Sequence, residues 1–302
     1  MTIGGKLCLA GTIVALAGGA LLAQSLPWPP TPVELRLQPG GAALAGAGVL
    51  LVVVGLVVYV VQPALDRNLA ARVPIASIRT SLAMFALAVL LANLATIPVI
   101  VRLGPRAVAG SSVGPGTLLY LIVASEIPII FVVWLRLVLP GGRTWGELGL
   151  RLRPIDSHVS LGLLGGLALF ISAGIVGAVL TRFGIHQNQL ERFEGIEGSS
   201  PLMFLLALLA GCVLAPLAEE LFFRGYVFKT FLDQRGPAWA YLYSSGLFAL
   251  VHANLAAAAP IFVLGLILAY LFQRSNSAVP GMIAHGLNNA IAFVLLYKGL
   301  TG

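Results

Sequence analysis

Long apolar runs recur along this chain of 302 residues and constrain its fold more than any other feature. Helical runs of about 17–25 apolar residues are long enough to cross a hydrocarbon core of about 30 Å. Nine apolar segments occur, at approximately 5–24, 41–62, 79–101, 117–139, 158–181, 202–232, 238–256, 260–273 and 279–298. The segment at 260–273 is short for a full crossing. The sequence therefore predicts an all-α fold, a polytopic transmembrane helical bundle of about eight or nine helices.

Composition supports this class and excludes others. The chain is 59% hydrophobic and 10% charged, whereas about a quarter of the residues in a soluble globular domain are charged. The net charge of +7 arises from basic residues scattered singly through short loops, so it indicates membrane topology and no nucleic-acid partner. Cys8 and Cys212 both lie in apolar segments, which leaves no disulfide framework.

The loop charges also predict an orientation in the cell membrane. Of the 18 basic residues, eleven fall on the side of Lys6, six on the side of Arg36, and Arg224 lies within a segment. The positive-inside rule then places the N-terminus in the cytoplasm. The first apolar run exceeds the roughly 7–15 residues of a signal-peptide core, so we expect an uncleaved anchor. The sequence thus predicts a multi-pass membrane protein with a cytoplasmic N-terminus.

The segment "LAEELFFRGYVF" places three charged side chains inside an apolar run, where each costs on the order of 2.5–3.5 kcal/mol at a helix centre. Glu220 and Arg224 are four residues apart, so they share a helix face and can form an ion pair. Glu219 is rotated from Glu220 by about 100° and must find its partner on another helix. Pro216 removes the hydrogen bond to the carbonyl of Cys212, and we expect a bend there.

Two later segments offer polar partners at helical spacing. "FALVH" places Phe248 and His252 four residues apart, and "HGLNN" does the same for His285 and Asn289. Isolated polar groups are costly in hydrocarbon, so we expect Glu219 and these side chains to meet in one hydrated cavity. Interhelical hydrogen bonding without catalysis is the alternative for each of them taken alone.

Glu126, in "VASEIPII", is a further acid inside an apolar segment and is followed by Pro128. Three interpretations are open for this carboxylate: it lines the same cavity, faces a substrate path, or caps a helix bend. We do not assign it to catalysis.

Taken in order, the motifs EExxxR, FxxxH and HxxxN/D resemble the CAAX prenyl endopeptidase and bacteriocin-processing (CPBP, Abi) family of intramembrane proteases. Here they read "EELFFR" (Glu219 to Arg224), "FALVH" (Phe248 to His252) and "HGLNN" (His285 to Asn289). The stretch "TWGELGLRLRP" looks like a weaker family feature. Residues 1–115 carry no family motif, so we divide the chain into N-terminal transmembrane segments of unknown role (1–115) and a protease core (116–302), with the motifs in 200–298.

The resemblance implies a role for each motif residue. Glu219 and His252 would activate the attacking water, and His285 and Asn289 would stabilise the tetrahedral oxyanion. A second set would hold these groups in place: Glu220, Arg224 and Phe248. The resemblance favours a mechanism without a metal cofactor. Catalytic zinc is the alternative, with Glu219, His252 and His285 as its three ligands and an open fourth position.

The predicted function is hydrolysis of peptide bonds in membrane-associated substrates, with prenylated C-termini or bacteriocin-like peptides as the classes that the resemblance implies. The expected partners are a peptide or protein substrate and the lipid bilayer; the oligomeric state is open. Two other functions use the same polar cavity: a proton-coupled transporter, since intramembrane acids and histidines mark proton paths, and a non-catalytic membrane scaffold. The chain shows no internal repeat, which many transporters contain.

Overall fold

The computed structural model describes residues 3–24, 39–65, 77–103, 113–185, 196–252 and 257–298, which contain helices and no strand. Nine helices follow one another there: α1 (Ile3–Gln24), α2 (Pro39–Leu65), α3 (Ile78–Leu103), α4 (Pro115–Val138), α5 (Ile155–Arg182), α6 (Pro201–Arg235), α7 (Pro237–Val251), α8 (Ala258–Ser275) and α9 (Val279–Tyr297). Each helix coincides with one predicted apolar segment. The predicted all-α bundle is therefore confirmed.

The helices differ in their capacity to cross a membrane. Six of the described helices are long and apolar enough: α3, α4, α5, α6, α8 and α9. Shorter apolar stretches, Ile3–Leu16 and Gly46–Gln62, lie within α1 and α2. Helix α7 has 15 residues, about 22 Å at 1.5 Å per residue, which is less than the hydrocarbon thickness. The fold is a multi-pass membrane bundle.

The structure corrects which late segment is short. We expected the segment at 260–273 to be too short to cross the membrane fully, but α8 has 18 residues and is long and apolar enough to do so. The segment predicted at 238–256 instead ends its helix at Val251. An apolar run does not mark the residue at which a helix ends. The length predicted from the sequence was therefore too great for α7 and too small for α8.

Close contacts at glycines define the relative directions of the last helices. Helices α5 and α9 are parallel, because Gly162 and Gly166 of α5 lie against Ile283 and Leu287 of α9 in the same order. Small residues at such contacts let helix backbones approach closely in membranes.

Helices α6 and α9 run antiparallel to each other. Near the start of α6, Cys212 packs against Gly286, and further along α6, Glu220 packs against Gly281. The order of contacts is therefore reversed between the two helices. This arrangement brings the first motif, on α6, against the third motif, on α9.

The stretch "TWGELGLRLRP" joins the beginnings of α5 and α9. Thr144 N donates to Glu147 Oε2 (2.7 Å) and Glu147 N donates to Thr144 Oγ1 (3.2 Å), the reciprocal pattern of a capping box. The carbonyl of Gly149 accepts hydrogen bonds from Ala278 N (2.8 Å) and from Ser277 Oγ (3.2 Å), just before α9. These bonds fix the level at which α9 begins beside α5.

The second half of helix α6 lies at the centre of the bundle. Every residue of Glu220–Phe228 is buried, and the hydrogen bonding of this segment is π-helical. This segment is buried on all sides and so has no solvated or lipid-facing stripe. Phe223 packs edge-to-face on Phe248 of α7, with ring centroids 5.4 Å apart. The charged residues of the first motif are thus enclosed by neighbouring helices.

Candidate active site

The predicted ion pair of α6 is present and fully buried. Arg224 Nη1 donates to Glu220 Oε1 at 2.8 Å, and neither side chain is exposed. The Arg224 guanidinium also donates to the carbonyl of Gly265 on α8 (3.2 Å) and lies 4.3 Å from the centroid of the Phe248 ring on α7. A cation over an aromatic face is attracted by the ring quadrupole. Arg224 therefore connects α6 to both α7 and α8.

Glu219 has different surroundings. Its Oε2 atom is buried and has no hydrogen-bond partner within the described parts of the chain. Nδ1 of His285 lies 3.6 Å from that oxygen and also 3.6 Å from Glu220 Oε1, just beyond hydrogen-bond length. The expected Glu220–Arg224 pair is present, and the group near Glu219 is on another helix, as expected, but the His285 ring lies at the same distance from both acids. Packing between α6 and α9 decides this, which spacing within α6 alone does not reveal.

The remaining motif side chains lie around one large cavity of about 1050 Å³. Its wall includes Glu219, Phe248, His252, His285 and Asn289. Glu220 and Arg224 do not line it. The convergence of three helices on one cavity agrees with the arrangement expected from the sequence, whereas the individual roles of these residues stay predictions.

His252 ends α7, and its orientation is defined by a backbone contact. Nδ1 of His252 lies 2.8 Å from the carbonyl oxygen of Phe248, one turn earlier. A carbonyl can only accept, so Nδ1 carries the proton, and in the neutral ring Nε2 carries the lone pair. The ring also packs edge-on against the Phe248 ring, with centroids 5.1 Å apart. Phe248 thus holds both His252 and Arg224.

Asn289 joins α9 to the irregular part of α6. Its Nδ2 atom donates to the carbonyl of Gly211 at 2.8 Å. Gly211 lies in a π-helical segment, Ala210–Leu214, that precedes Pro216. Such irregular turns frequently occur at functional sites because they free backbone groups. An amide nitrogen carries two hydrogens, so the second N–H of Asn289 is left to donate elsewhere.

Glu126 of α4 lines the same cavity, as the first of our three interpretations for this residue expects. Its Oε1 atom accepts a hydrogen bond from Ser125 Oγ (3.0 Å), and its Oε2 atom is buried without a partner in the described residues. Sequence spacing could not place Glu126 relative to the motifs, because α4 is distant from α6 in the chain. Its only signal was an acid in an apolar run.

The cavity contains Glu and His side chains, which are residue types that bind metals. Within the described residues, however, no group of three or more His, Cys, Asp and Glu side chains is arranged as ligands of one ion. The metal-free mechanism and its zinc alternative both stay predictions.

Comparison with known proteins supports the family resemblance. Residues 201–291 match the family described as Rce1-like, type II CAAX prenyl endopeptidase. This stretch extends from the start of α6 into α9 and contains all three motifs. The predicted resemblance is confirmed for this part of the chain.

Two curated bacterial proteins are similar to parts of this chain. The "Putative membrane peptidase YdiL" of Bacillus subtilis (strain 168) is 26% identical over 174 residues, 55% of this chain and 69% of that protein. The "UPF0177 protein YxdF" of Lactococcus lactis subsp. lactis (strain IL1403) is 33% identical over 78 residues, 26% of this chain and 42% of that protein. No solved structure matches this chain.

Proposed function

We propose that this protein is an intramembrane endopeptidase, since its residues 201–291 match the type II CAAX prenyl endopeptidases and a similar protein is named a membrane peptidase. The observation that carries the proposal is that the charged residues of the first motif lie in two different surroundings. Glu219 lines the cavity together with His252, His285 and Asn289, whereas Glu220 and Arg224 are paired behind its wall. A purely structural motif has no need of an unpaired acid beside a paired one.

Glu219 and His252 activate the attacking water. The Glu219 carboxylate takes a proton from the water while the water oxygen forms a bond to the substrate carbonyl carbon. Nε2 of His252, the lone-pair nitrogen of the neutral ring, accepts a hydrogen bond from the same water and orients it. General-base assistance of this kind contributes about 10²–10⁴-fold to a rate.

Asn289 and His285 stabilise the resulting oxyanion. Asn289 donates the amide hydrogen that is not bonded to Gly211. His285 directs Nδ1 toward the two carboxylates, so its Nε2 atom donates to the oxyanion when the ring carries both protons. Two donors placed where negative charge develops stabilise the transition state more than the ground state.

The intermediate then collapses. Its carbon–nitrogen bond breaks, and the proton held by Glu219 passes to the leaving nitrogen, which departs as an amine. The carboxyl product retains the oxygen that came from water. Glu219 is left as a carboxylate, so no group is consumed in the cycle.

The substrate is a membrane-associated peptide. A cavity of about 1050 Å³ with mainly apolar walls suits an extended segment that leaves the lipid or its surface. Prenylated C-termini and bacteriocin-like peptides are the two classes that the family resemblance implies.

Cleavage of quenched fluorescent peptides by the purified protein tests the proposal. Wild type, Glu219→Gln and a chelator-treated sample are compared, with Glu219→Gln changing charge but hardly changing shape. We expect the wild type and the chelated sample to cleave and Glu219→Gln to lose activity. Loss with chelator and recovery with zinc would assign Glu219, His252 and His285 as ligands instead.

Two other outcomes would contradict the proposal. Wild-type rates in Glu219→Gln would exclude this residue as the base. If no sample cleaves any peptide, a proton-flux measurement in liposomes decides between the transporter and scaffold alternatives. Only a proton-coupled transporter carries protons across the membrane together with its substrate.

A further inference from the structure

Glu126 contributes a second carboxylate to the cavity, from a helix outside the three motifs. It lies on α4 with Ile122, Ser125 and Ile129, and all four residues line the cavity. Positions 122, 125, 126 and 129 follow the spacing of one helix face. The face of α4 turned toward the cavity is therefore apolar apart from Glu126 and its neighbour Ser125.

One oxygen of this carboxylate has no hydrogen-bond partner among the residues that the structure describes. Glu126 is 6% exposed, and its buried Oε2 atom lacks a hydrogen-bond partner within the described ranges. Ser125 Oγ occupies only Oε1, at 3.0 Å. Leaving a buried charged group unsatisfied is costly, so a cationic group that enters the cavity beside Glu126 would gain by pairing with this carboxylate.

The described wall of the cavity offers Glu126 no permanently charged counter-ion. Glu126 and Glu219 both line the cavity. None of its described lining residues is Lys or Arg. The nearby guanidinium of Arg224 is already held by Glu220 and lies behind the wall. Glu126 therefore differs from Glu220, which has its counter-ion within the protein.

We propose that Glu126 is a specificity-determining residue, whose carboxylate binds the basic side chain of a Lys or Arg in the substrate peptide. The inference rests on the proposed endopeptidase function and names the substrate class of the same site. A basic side chain has the matching requirement, because its charged end enters an apolar cavity favourably only when an opposite charge meets it. Its aliphatic stem would lie along Ile122 and Ile129.

The test uses paired pools of N-terminally acetylated, quenched peptides. At each position in turn, one pool holds arginine and the other holds citrulline, its neutral near-isostere. Acetylation removes the terminal ammonium as a competing cation. We expect kcat/KM of the wild type to favour arginine by about 10- to 100-fold at one or two positions, as expected for a charge-assisted hydrogen bond.

Substitutions at Glu126 identify the group responsible. In Glu126→Gln the ratio between the two pools should fall close to one, mainly through a higher KM for the arginine pool. Glu126→Asp keeps the charge and should retain part of the preference. A ratio unchanged in Glu126→Gln would overturn the inference. So would an equal fall of kcat on both pools, which would assign Glu126 to the chemical step.

A binding measurement separates this inference from the proposed function. Fluorescence anisotropy compares labelled arginine and citrulline peptides on Glu219→Gln and on the double variant with Glu126→Gln. A preference seen only in the single variant supports cation binding by Glu126, even if the wild type cleaves no peptide. Cleavage without any preference would leave the endopeptidase intact and refute the role of Glu126.

Discussion

Glu219 and Glu220 are neighbours in the chain, and the fold gives them different surroundings. Glu220 is fully buried and bonded to Arg224, whereas Glu219 lines the cavity and its buried Oε2 atom has no hydrogen-bond partner among the described residues. The i,i+4 spacing predicted the ion pair correctly, since that contact lies within one helix. The position of His285 between both acids and the approach of Glu126 could not be predicted, because they depend on how α9 and α4 pack on α6.

Two buried arginines provide a contrast in stability. Arg224 has Glu220, the Gly265 carbonyl and the Phe248 ring as partners. Arg136 of α4 is also 0% exposed, but none of its guanidinium nitrogens has a hydrogen-bond partner in the described residues. We expect Arg224→Met to destabilise the protein by about 3–5 kcal/mol, because Glu220 is left buried and unpaired.

Arg136→Met is the matched control for that substitution. It removes a buried charge and breaks no hydrogen bond, so we expect unchanged or higher stability. Thermal unfolding of both variants in the same detergent measures the difference. Equal destabilisation of the two would contradict the importance we give to the Glu220–Arg224 pair.

Adjacent asparagines on α9 test the oxyanion donor. Asn289→Ala should lower kcat by about 10²–10³-fold, as expected for the loss of one such donor. Asn288 also lines the cavity but is rotated by about 100° around the helix, so Asn288→Ala should cost much less. Steady-state kinetics on one peptide compares them, and equal losses would remove Asn289 from this role.

At the scale of elements, the contact between α6 and α9 holds the site together. The first motif and the third motif face each other because Gly281 and Gly286 let α9 approach α6 closely. The sequence predicted the helices and placed the motifs on them. It could not predict the partners of these glycines, since a small residue allows a close approach without specifying the neighbour.

A pair of Gly→Ala substitutions tests this contact. A Cβ at Gly286 would collide with the carbonyl oxygen of Cys212, whereas a Cβ at Gly246 of α7 would meet no atom within 4 Å. We expect Gly286→Ala to lower both the unfolding temperature and the cleavage rate by separating α9 from α6. Gly246→Ala should raise stability by up to about 1 kcal/mol through helix propensity. Unfolding scans with parallel cleavage assays decide; an unaffected Gly286→Ala would show that close packing here is dispensable.

In the complete bundle, the relative directions of the helices predict the membrane topology. Helices α5 and α9 are parallel and begin beside each other, through the bonds of Gly149 to Ala278. Apolar run lengths predicted about eight or nine helices but could not separate the spans from the shorter α7. The orientation of the bundle rests on loop charges alone and stays a prediction.

Fusions of a fluorescent protein that folds only in the cytoplasm test the orientation. With nine alternating helices and a cytoplasmic N-terminus, a fusion before α1 should fluoresce and a fusion after α9 should not. A fusion in the loop at Gly141 should also fluoresce, because α5 is expected to start on the cytoplasmic side. The reverse pattern would show that the bundle is inverted.

The central claim is that Glu219 performs the chemistry while Glu220 maintains the fold. Measuring cleavage rate and unfolding temperature together for Glu219→Gln and Glu220→Gln tests it most directly. We predict that Glu219→Gln abolishes cleavage and unfolds close to the wild-type temperature, whereas Glu220→Gln unfolds at a clearly lower temperature because the Arg224 charge loses its partner. A destabilised Glu219→Gln beside a stable, inactive Glu220→Gln would reverse the two roles and contradict the claim.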